Sequence, residues 1–154
     1  MELGAGTALP SLLVAAYGHT AIATDLKKVL PLTQQCLSLN PNLSGSLKAM
    51  ELYWGNNDHL DQVIAQCNNK IDYIICADLI YLEETFEDLI ATLKRLSVEG
   101  RRPMILMSYK IRLPELTQKF IDMFKAEFEV IEELNISDIH PHANEKFIKA
   151  KLKE

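Results

Sequence analysis

The first eight residues, Met-Glu-Leu-Gly-Ala-Gly-Thr-Ala, constrain the fold of this chain more than any other segment. A short apolar start runs into two glycines one residue apart, Gly4 and Gly6, and then into residues that favour a helix. Glycine has no Cβ, so the backbone can turn sharply at these positions and a ligand can lie against it. Free N–H groups at the start of the next helix would point at that ligand. The segment therefore predicts the strand–loop–helix opening of an α/β sheet that binds a nucleotide-type cofactor.

The composition is consistent with one globular domain built on this opening. The 154 residues suffice for a sizeable core, and contents of 48% hydrophobic and 24% charged residues are ordinary for a soluble protein. The net charge of −5 argues against a general nucleic-acid binder. We find no signal peptide and no apolar run of membrane-spanning length, so no membrane partner is expected. Cys36, Cys67 and Cys76 fit neither a disulfide framework nor a zinc site, which indicates reduced thiols and a cytoplasmic location.

Strand and helix patterns alternate along the whole chain. Strands are predicted at residues 1–3, 20–24, 46–53, 71–77, 104–109, 128–134 and 146–152, and helices at 9–17, 27–39, 58–67, 83–96 and 113–124. Thr7 is expected to cap the first helix, whose Leu12, Leu13, Ala15 and Ala16 should pack on the sheet. No helix fits between the last two strands, so we expect them to pair antiparallel at the sheet edge. The prediction is a single α/β domain over residues 1–154 with a mostly parallel sheet.

Polar and aromatic residues follow the predicted strands at the edge where open α/β sheets bind ligands. Asp25 ends the second strand, 21 positions after Gly4, where a carboxylate can accept hydrogen bonds from both ribose hydroxyls. Trp54 ends the third strand, and its indole can pack against a purine ring. Asp78 and Tyr81 follow the fourth strand and face the place of a reacting group. Alternative roles stay open for each: a helix cap for Asp25, core packing for Trp54 and Tyr81, and a cap or loop anchor for Asp78.

The loop favours a cationic cofactor over a dinucleotide. The dinucleotide fingerprint Gly-x-Gly-x-x-Gly requires a glycine where this chain has Leu9. The carboxylate of Glu2, just before the turn, suits a ligand that carries positive charge better than a pyrophosphate. S-adenosylmethionine has a sulfonium, an ammonium and no phosphate, so we expect this cofactor. No metal is expected, because His140 and His142 fit a solvated loop better than a metal site.

Four segments together carry a family resemblance: Glu2–Thr7, Thr24–Leu26, Leu52–Gly55 and Ala77–Phe86. They resemble the corresponding motifs of the seven-β-strand protein-lysine methyltransferases. The last segment, with its Asp-x-x-Tyr element, resembles in particular the members that methylate Hsp70-type chaperones. The resemblance implies a Rossmann-like, S-adenosylmethionine-dependent methyltransferase sheet and a protein substrate whose lysine side chain is methylated.

The resemblance also implies a role for each residue at the strand ends. The cofactor-binding residues are Glu2, Gly4, Ala5, Gly6, Asp25, Trp54 and Ala77. The glycine loop would lie at the methionine end, Asp25 on the ribose, Trp54 near the adenine, and Ala77 along the pocket. Asp78 and Tyr81 would lie by the target lysine as the catalytic residues.

Two departures from the family pattern bear on the site. Ala8 stands where the family loop usually has glycine, and its methyl group is expected to narrow the site slightly. The family normally has several tens of residues before the loop, including a tryptophan near the cofactor and part of the substrate surface. We therefore expect a shortened first strand at the middle of the sheet, in a chain that is a fragment, starts at a misassigned codon or is a degenerate copy. An active lysine methyltransferase, an inactive domain that keeps the fold, and a methyltransferase for another acceptor all remain open.

Overall fold

The computed structural model of the protein describes residues 1–135 and 144–154, which form one sheet and its flanking helices. The strands are β1 (Glu2–Leu3), β2 (Thr20–Asp25), β3 (Ser46–Glu51), β4 (Tyr73–Ala77), β5 (Met104–Lys110), β6 (Phe128–Asn135) and β7 (Glu145–Leu152). The helices are α1 (Leu9–Ala16), α2 (Leu30–Ser38), α3 (Asn57–Gln66), α4 (Phe86–Glu99) and α5 (Pro114–Glu127), with a 3-10 turn at Glu83–Thr85 before α4.

The sheet has the strand order β3-β2-β1-β4-β5-β7-β6. Strands β1 to β5 are parallel to their neighbours, whereas β7 pairs antiparallel with both β5 and β6. The predicted mostly parallel, Rossmann-like α/β sheet is therefore confirmed, as is the antiparallel pairing of the last two strands. The antiparallel strand is β7, which inserts between β5 and β6, so the edge strand β6 runs in the same direction as β5.

The shortened first strand keeps its place between β2 and β4. Glu2 pairs with Ala23 on one side and Ile75 on the other, and Leu3 pairs with the next residue of each neighbour. Met1 extends the ladder towards β4: its amino group donates to the Tyr73 carbonyl at 2.8 Å and its carbonyl accepts from the Ile75 N–H at 2.8 Å. Two strand residues and one flanking residue thus suffice to join both halves of the sheet.

One face of the sheet carries a large core with a row of phenylalanines. Helices α3, α4 and α5 contribute Leu60, Val63, Leu89, Leu93 and Phe124, among others, to a single buried cluster. The ring centroids of Phe86 and Phe120 lie 5.0 Å apart, those of Phe120 and Phe124 6.2 Å, and those of Phe124 and Phe128 4.6 Å. We call this side of the sheet the aromatic face.

The opposite side, covered by α1 and α2, has a much smaller core. Successive strand residues point to opposite sides of a sheet, so Glu2 lies on the other side from Leu3, which belongs to the large core. The Ser11 N–H of α1 donates to the Glu2 carboxylate at 2.9 Å, which places α1 on this second side. Its buried cluster consists of alanines, with Leu37 and Leu47 packed against it: Ala5, Ala8 and Ala23. We call it the alanine face.

Helix α1 is rotated relative to its prediction. Ser11 and Ala15 are its buried residues, whereas Leu13 is 54% exposed and Ala16 is also exposed. The expectation that Leu13 and Ala16 pack on the sheet was wrong. The reason is Glu2: its buried carboxylate needs a donor, and the first turn of α1 turns its Ser11 amide towards it. The side of the helix that then meets the sheet buries the small residues Ser11 and Ala15.

The cap of α1 and the start of α2 also differ from prediction. Thr7 does not cap α1, because Ala8 is the N-cap residue in a left-handed conformation (φ 58°) without a side-chain cap. Helix α2 begins at Leu30 rather than Lys27, and Pro31 occupies its first turn, where proline needs no N–H donor. Residues 27–29 form turns instead. The loop that leads from β2 into α2 is therefore longer than the sequence pattern indicated, whereas the loop from β1 into α1 has the predicted length.

Candidate functional site

The carboxyl ends of β1 to β5 lie at one edge of the sheet, because these strands are parallel. From β1 the chain moves outward to β2 and β3, and it then crosses to β4 and β5 on the other side. The strand order therefore reverses between β1 and β4, which is where open α/β sheets bind ligands. We call this edge the carboxyl edge. The structure brings together there the glycine loop, Asp25, Trp54, Ala77, Asp78 and Tyr81.

The two glycines of the loop have positive φ angles but different surroundings. Gly4 has φ 57°, and an added Cβ there would lie 2.6 Å from Leu79 Cδ2 and 3.4 Å from Trp54 Cζ2. Gly6 has φ 52°, and an added Cβ would meet nothing within 4 Å. Gly4 thus lets the loop pack against the residues that follow β3 and β4, whereas the backbone at Gly6 faces open space that a ligand can enter.

Asp25 is fastened to the glycine loop. Its Oδ2 accepts a hydrogen bond from the Gly6 N–H at 2.8 Å, and its Oδ1 accepts one from the Leu26 N–H at 2.7 Å. The Thr33 hydroxyl donates to the Gly6 carbonyl at 2.6 Å, which ties α2 to the same loop. The cap of α2 is Val29, so the alternative that Asp25 caps this helix was wrong. Each carboxylate oxygen retains a lone pair for a further donor such as a hydroxyl.

Glu2 is buried beneath the loop. Its side chain is 1% exposed, and its Oε2 accepts from the Ser11 N–H at 2.9 Å. Burial raises the pKa of the Glu2 carboxyl, and the hydrogen bonds from Ser11 oppose that shift. Glu2 therefore anchors the first turn of α1, and its contact with a cofactor stays a prediction.

Trp54 lies beside Gly4 and is held by α4. The indole is partly buried and packs against the large core, which supports its packing role as well as its position at the site. The Gly55 N–H donates to the Thr92 hydroxyl of α4 at 2.9 Å. With φ 79°, Gly55 also approaches Asp88 so closely that an added Cβ would lie 2.6 Å from its Oδ1. These contacts fix the segment that carries the indole.

Asp78 directly follows β4 and Ala77, which is partly buried and pairs with Ser108 of β5. Asp78 has a left-handed backbone (φ 60°), and its N–H donates to the Ser108 carbonyl at 2.8 Å. Its carboxylate makes a bidentate ion pair with Arg112, at 2.5 Å from Nη1 and 2.6 Å from Nη2. These hydrogen bonds hold the pKa of the Asp78 carboxyl below its usual value. Asp78 caps neither the 3-10 turn nor α4, but it does anchor its loop.

Arg112 is a site residue that the sequence analysis missed. It follows β5 by two positions, so it lies at the carboxyl edge next to the end of β4. The one available signal was its position just beyond a buried strand. Its partner lies 34 residues away, and the pairing becomes visible only when β4 and β5 are known to be neighbours.

Tyr81 lies at the surface of the same β4–α4 connection. Its side chain is 54% exposed, whereas Leu79 and Ile80 just before it are buried. This exposure contradicts the alternative that Tyr81 is a core packing residue. Two residues further on, Glu83 forms an ion pair with Lys119 of α5. The connection is thus anchored on both sides of Tyr81, and the ring itself faces solvent.

Two predictions concern features beyond this edge. Residues 1–135 and 144–154 contain no group of three or more His, Cys, Asp or Glu side chains that could hold a metal ion. His140 and His142 lie outside the described residues. In the same part of the chain, no helix has the length and apolar character needed to cross a membrane.

Solved structures share this fold at low sequence identity. The structure of SMU.776, described as a methyltransferase and solved in complex with S-adenosylhomocysteine, matches 98% of this chain and 44% of its own with a TM-score of 0.59 and 15% identity. TrmN from Thermus thermophilus matches 99% of this chain and 43% of its own with a TM-score of 0.66 and 14% identity. At these identities the likeness concerns the fold alone.

Sequence comparison is more specific. The sequence profile described as lysine methyltransferase matches residues 1–127. The mouse protein-lysine methyltransferase METTL21E is 36% identical over 155 residues, which cover 99% of this chain and 60% of the relative. The chain thus spans about three-fifths of the length of this relative. We conclude that it belongs to the lysine methyltransferase family.

Proposed function

We propose that this protein transfers a methyl group from S-adenosylmethionine to the side-chain nitrogen of a lysine in a protein substrate. The observation that carries the proposal is the arrangement at the switch point between β1 and β4. On one side Asp25 is fastened to the amide of Gly6, whose backbone faces open space. On the other side, Asp78 and Tyr81 follow β4. The family membership identifies the class of reaction that suits such an arrangement.

The residues present fit this cofactor. The open side of Gly6 admits a ligand against the main chain of residues 4–6, and the free lone pairs of Asp25 suit the two ribose hydroxyls. Trp54, partly exposed beside Gly4, offers a ring surface for the adenine, and Ala77 is small enough to line the pocket. When bound, S-adenosylmethionine supplies a methyl group on a positively charged sulfur, which keeps the electron pair of the broken carbon–sulfur bond while the lysine nitrogen forms the new bond.

The lysine site is proposed at Asp78 and Tyr81. The amine must be neutral to act as a nucleophile, so the ammonium proton passes to water first. The Asp78 carboxylate accepts a hydrogen bond from the amine and orients it, and the exposed ring of Tyr81 forms one wall of the slot and attracts the cation before its proton leaves. Because the methyl donor is already activated, the protein mainly supplies alignment, which is worth roughly 7–11 kcal/mol in well-oriented systems.

We propose an Hsp70-type chaperone as the first substrate to test, on the resemblance of residues 77–86. The second is elongation factor 1A. It is the substrate named for EEF1A lysine methyltransferase 3 of Xenopus tropicalis, which is 30% identical to this chain over 94% of its length and 64% of the relative. We further propose that residues 1–154 act as one methyltransferase domain in the cytoplasm, where the free cysteines Cys36, Cys67 and Cys76 would stay reduced.

Cofactor binding is tested first, by calorimetric titration of the 154-residue chain with S-adenosylhomocysteine. Saturable binding is expected, with loss of binding in Asp25→Ala. The matched control is Asp122→Ala, which removes an exposed carboxylate of α5 that accepts a hydrogen bond from Gln118. A folded chain that binds no cofactor would favour the inactive domain over our proposal.

Methyl transfer is tested next, with tritiated S-adenosylmethionine and each of the two protein substrates. We expect labelled lysine, identified by mass spectrometry, and its loss in Asp78→Ala with cofactor binding retained and with Asp122→Ala unaffected. Label on another residue type, or on a small molecule, would instead support the third hypothesis, a methyltransferase with a different acceptor.

A further inference from the structure

Two connections at the carboxyl edge are joined by ion pairs. The β4–α4 connection carries Asp78 and Glu83, which pair with Arg112 of the β5–α5 connection and with Lys119 of α5. Asp78 and Glu83 lie on either side of Tyr81 in the sequence. All four charged side chains are about half exposed, and exposed ion pairs contribute little to stability. Stability is therefore a weak reason for a cation at this place.

The Arg112 pair has a geometry that the Lys119 pair lacks. Both guanidinium Nη atoms contact the carboxylate, one to each oxygen, which fixes the plane of the carboxylate as well as its place. Asp78 needs such support, because its φ of 60° is a conformation that residues with a Cβ seldom adopt. The Ser108 carbonyl and the Lys110 N–H complete the support from β5.

We propose that Arg112 is a positioning residue for methyl transfer: it holds and neutralises the Asp78 carboxylate, so that this carboxylate orients the lysine amine without keeping it protonated. The inference rests on the proposed function. The bidentate contact uses one lone pair of each carboxylate oxygen and the Lys110 N–H uses a third, which leaves one for the amine.

The charge argument follows from what surrounds Asp78. An unpaired carboxylate beside a lysine favours the ammonium form, which cannot attack a methyl group. The pair of a carboxylate and a guanidinium has no net charge, so it favours the ammonium form of the lysine much less. Within residues 1–135 and 144–154, the other charged groups near the pair are Lys110 at the end of β5, Glu145 of β7, and the Glu83–Lys119 pair. Lys110 and Glu145 have opposite charges, so Arg112 supplies the cation that matters.

The first test measures the pair without any substrate. The titration of the Asp78 carboxyl carbon is followed by NMR in the full chain, with the signal assigned by its loss in Asp78→Asn. In Arg112→Gln the midpoint is expected to move up towards the ordinary aspartate value, whereas Lys119→Gln, which removes the cation of the neighbouring Glu83 pair, should leave it unchanged. An unchanged midpoint in a folded Arg112→Gln protein would overturn the inference.

The second test measures kcat and KM against pH with the protein substrate that is methylated. The acid limb of the kcat profile reports loss of the lysine proton. In Arg112→Gln this limb is expected to move to higher pH by about one unit, which lowers kcat at neutral pH about tenfold and leaves much of it at high pH. Arg112→Lys keeps the charge but not the bidentate contact, so its limb should stay while kcat falls at every pH.

The outcomes separate this inference from the function on which it rests. Equal loss of kcat at all pH values in Arg112→Gln would identify Arg112 as merely structural. Wild-type rates in that variant would also overturn the inference. In both cases the proposed lysine methylation would still stand. If the wild-type chain methylates no lysine although the NMR titration shows the pair, the proposed function has failed, and the role of Arg112 falls with it.

Discussion

The two faces of the sheet are built from different side chains. The aromatic face buries the phenylalanine row and the aliphatic residues of α3, α4 and α5, whereas the alanine face buries Ala5, Ala8 and Ala23 under α1 and α2. Gly4 borders the large core, but the loop then runs into α1, and Gly6 with its Asp25 contact is tied to α2 on the alanine face. Burial of apolar area is the main source of stability. The comparison indicates that the aromatic face stabilises the sheet. The cofactor loop lies on the side where local unfolding requires less free energy.

The largest effect on stability is expected from the removal of one aromatic ring on the aromatic face. Phe124 is fully buried, and its ring stacks on that of Phe128 with centroids 4.6 Å apart. Phe124→Ala should lower the free energy of unfolding by about 3–5 kcal/mol, because it removes buried area and leaves a cavity. Chemical denaturation followed by circular dichroism measures this. A loss below about 1 kcal/mol would mean that the two faces do not differ as described.

The sequence predicted the aromatic face better than the alanine face for a physical reason. Helices α4 and α5 carry their apolar residues on one stripe that packs on the large core. Period and burial therefore agree at Phe86, Leu89, Phe120 and Phe124. Helix α1 packs instead on a buried carboxylate. Its orientation follows the hydrogen bond between Ser11 and Glu2, and hydrophobic periodicity carries no information on that bond.

Glu2 offers a test of the alanine face that depends on pH. Its carboxyl pKa is raised in the folded state, so between the unfolded and the folded pKa the native protein holds the proton that the unfolded chain has lost. The contribution of Glu2 to stability therefore falls as pH rises through that window, by at most about 1.4 kcal/mol per pH unit.

Glu2→Gln cannot titrate, and its side-chain oxygen can still accept from the Ser11 amide. We expect the decline in stability that Glu2 causes with rising pH to be absent in this variant. The difference in free energy of unfolding between wild type and variant should therefore change with pH. Denaturation midpoints at several pH values above 4.5 measure the slope. Parallel curves for the two proteins would contradict a buried, titrating Glu2.

The site shows the same division between what sequence can and cannot predict. The glycine loop and Asp25 are recognisable because their neighbours in sequence carry the signal, and the structure does bring them together. The pair of Asp78 and Arg112 depends on which strands are neighbours, as does the insertion of β7 between β5 and β6. Strand order is set by long-range packing, which residue spacing does not encode.

A smaller effect, of opposite sign, is expected within the aromatic face. Ser97 of α4 is fully buried, and its hydroxyl has no hydrogen-bond partner within residues 1–135 and 144–154. A buried polar group without a partner costs free energy, so Ser97→Ala should stabilise the protein by about 1 kcal/mol. Thermal and chemical denaturation would both show it. Destabilisation would mean that the hydroxyl has a partner, such as an internal water.

The smallest effect is expected on the outer side of α1, where Leu13 is the matched control for Phe124. Leu13 is a large apolar residue within a helix, as Phe124 is, but it is 54% exposed. Leu13→Gln keeps a good helix former and removes little buried area, so the free energy of unfolding should change by less than about 0.5 kcal/mol. If the variant instead loses as much stability as Phe124→Ala, Leu13 is buried in solution, and the alanine face has a covering that its own small core does not reveal. If the free energy of unfolding is unchanged, the contrast between the faces is a property of the fold itself. The aromatic face then supports the sheet, and the alanine face, with its small core, carries the loop that must receive a ligand.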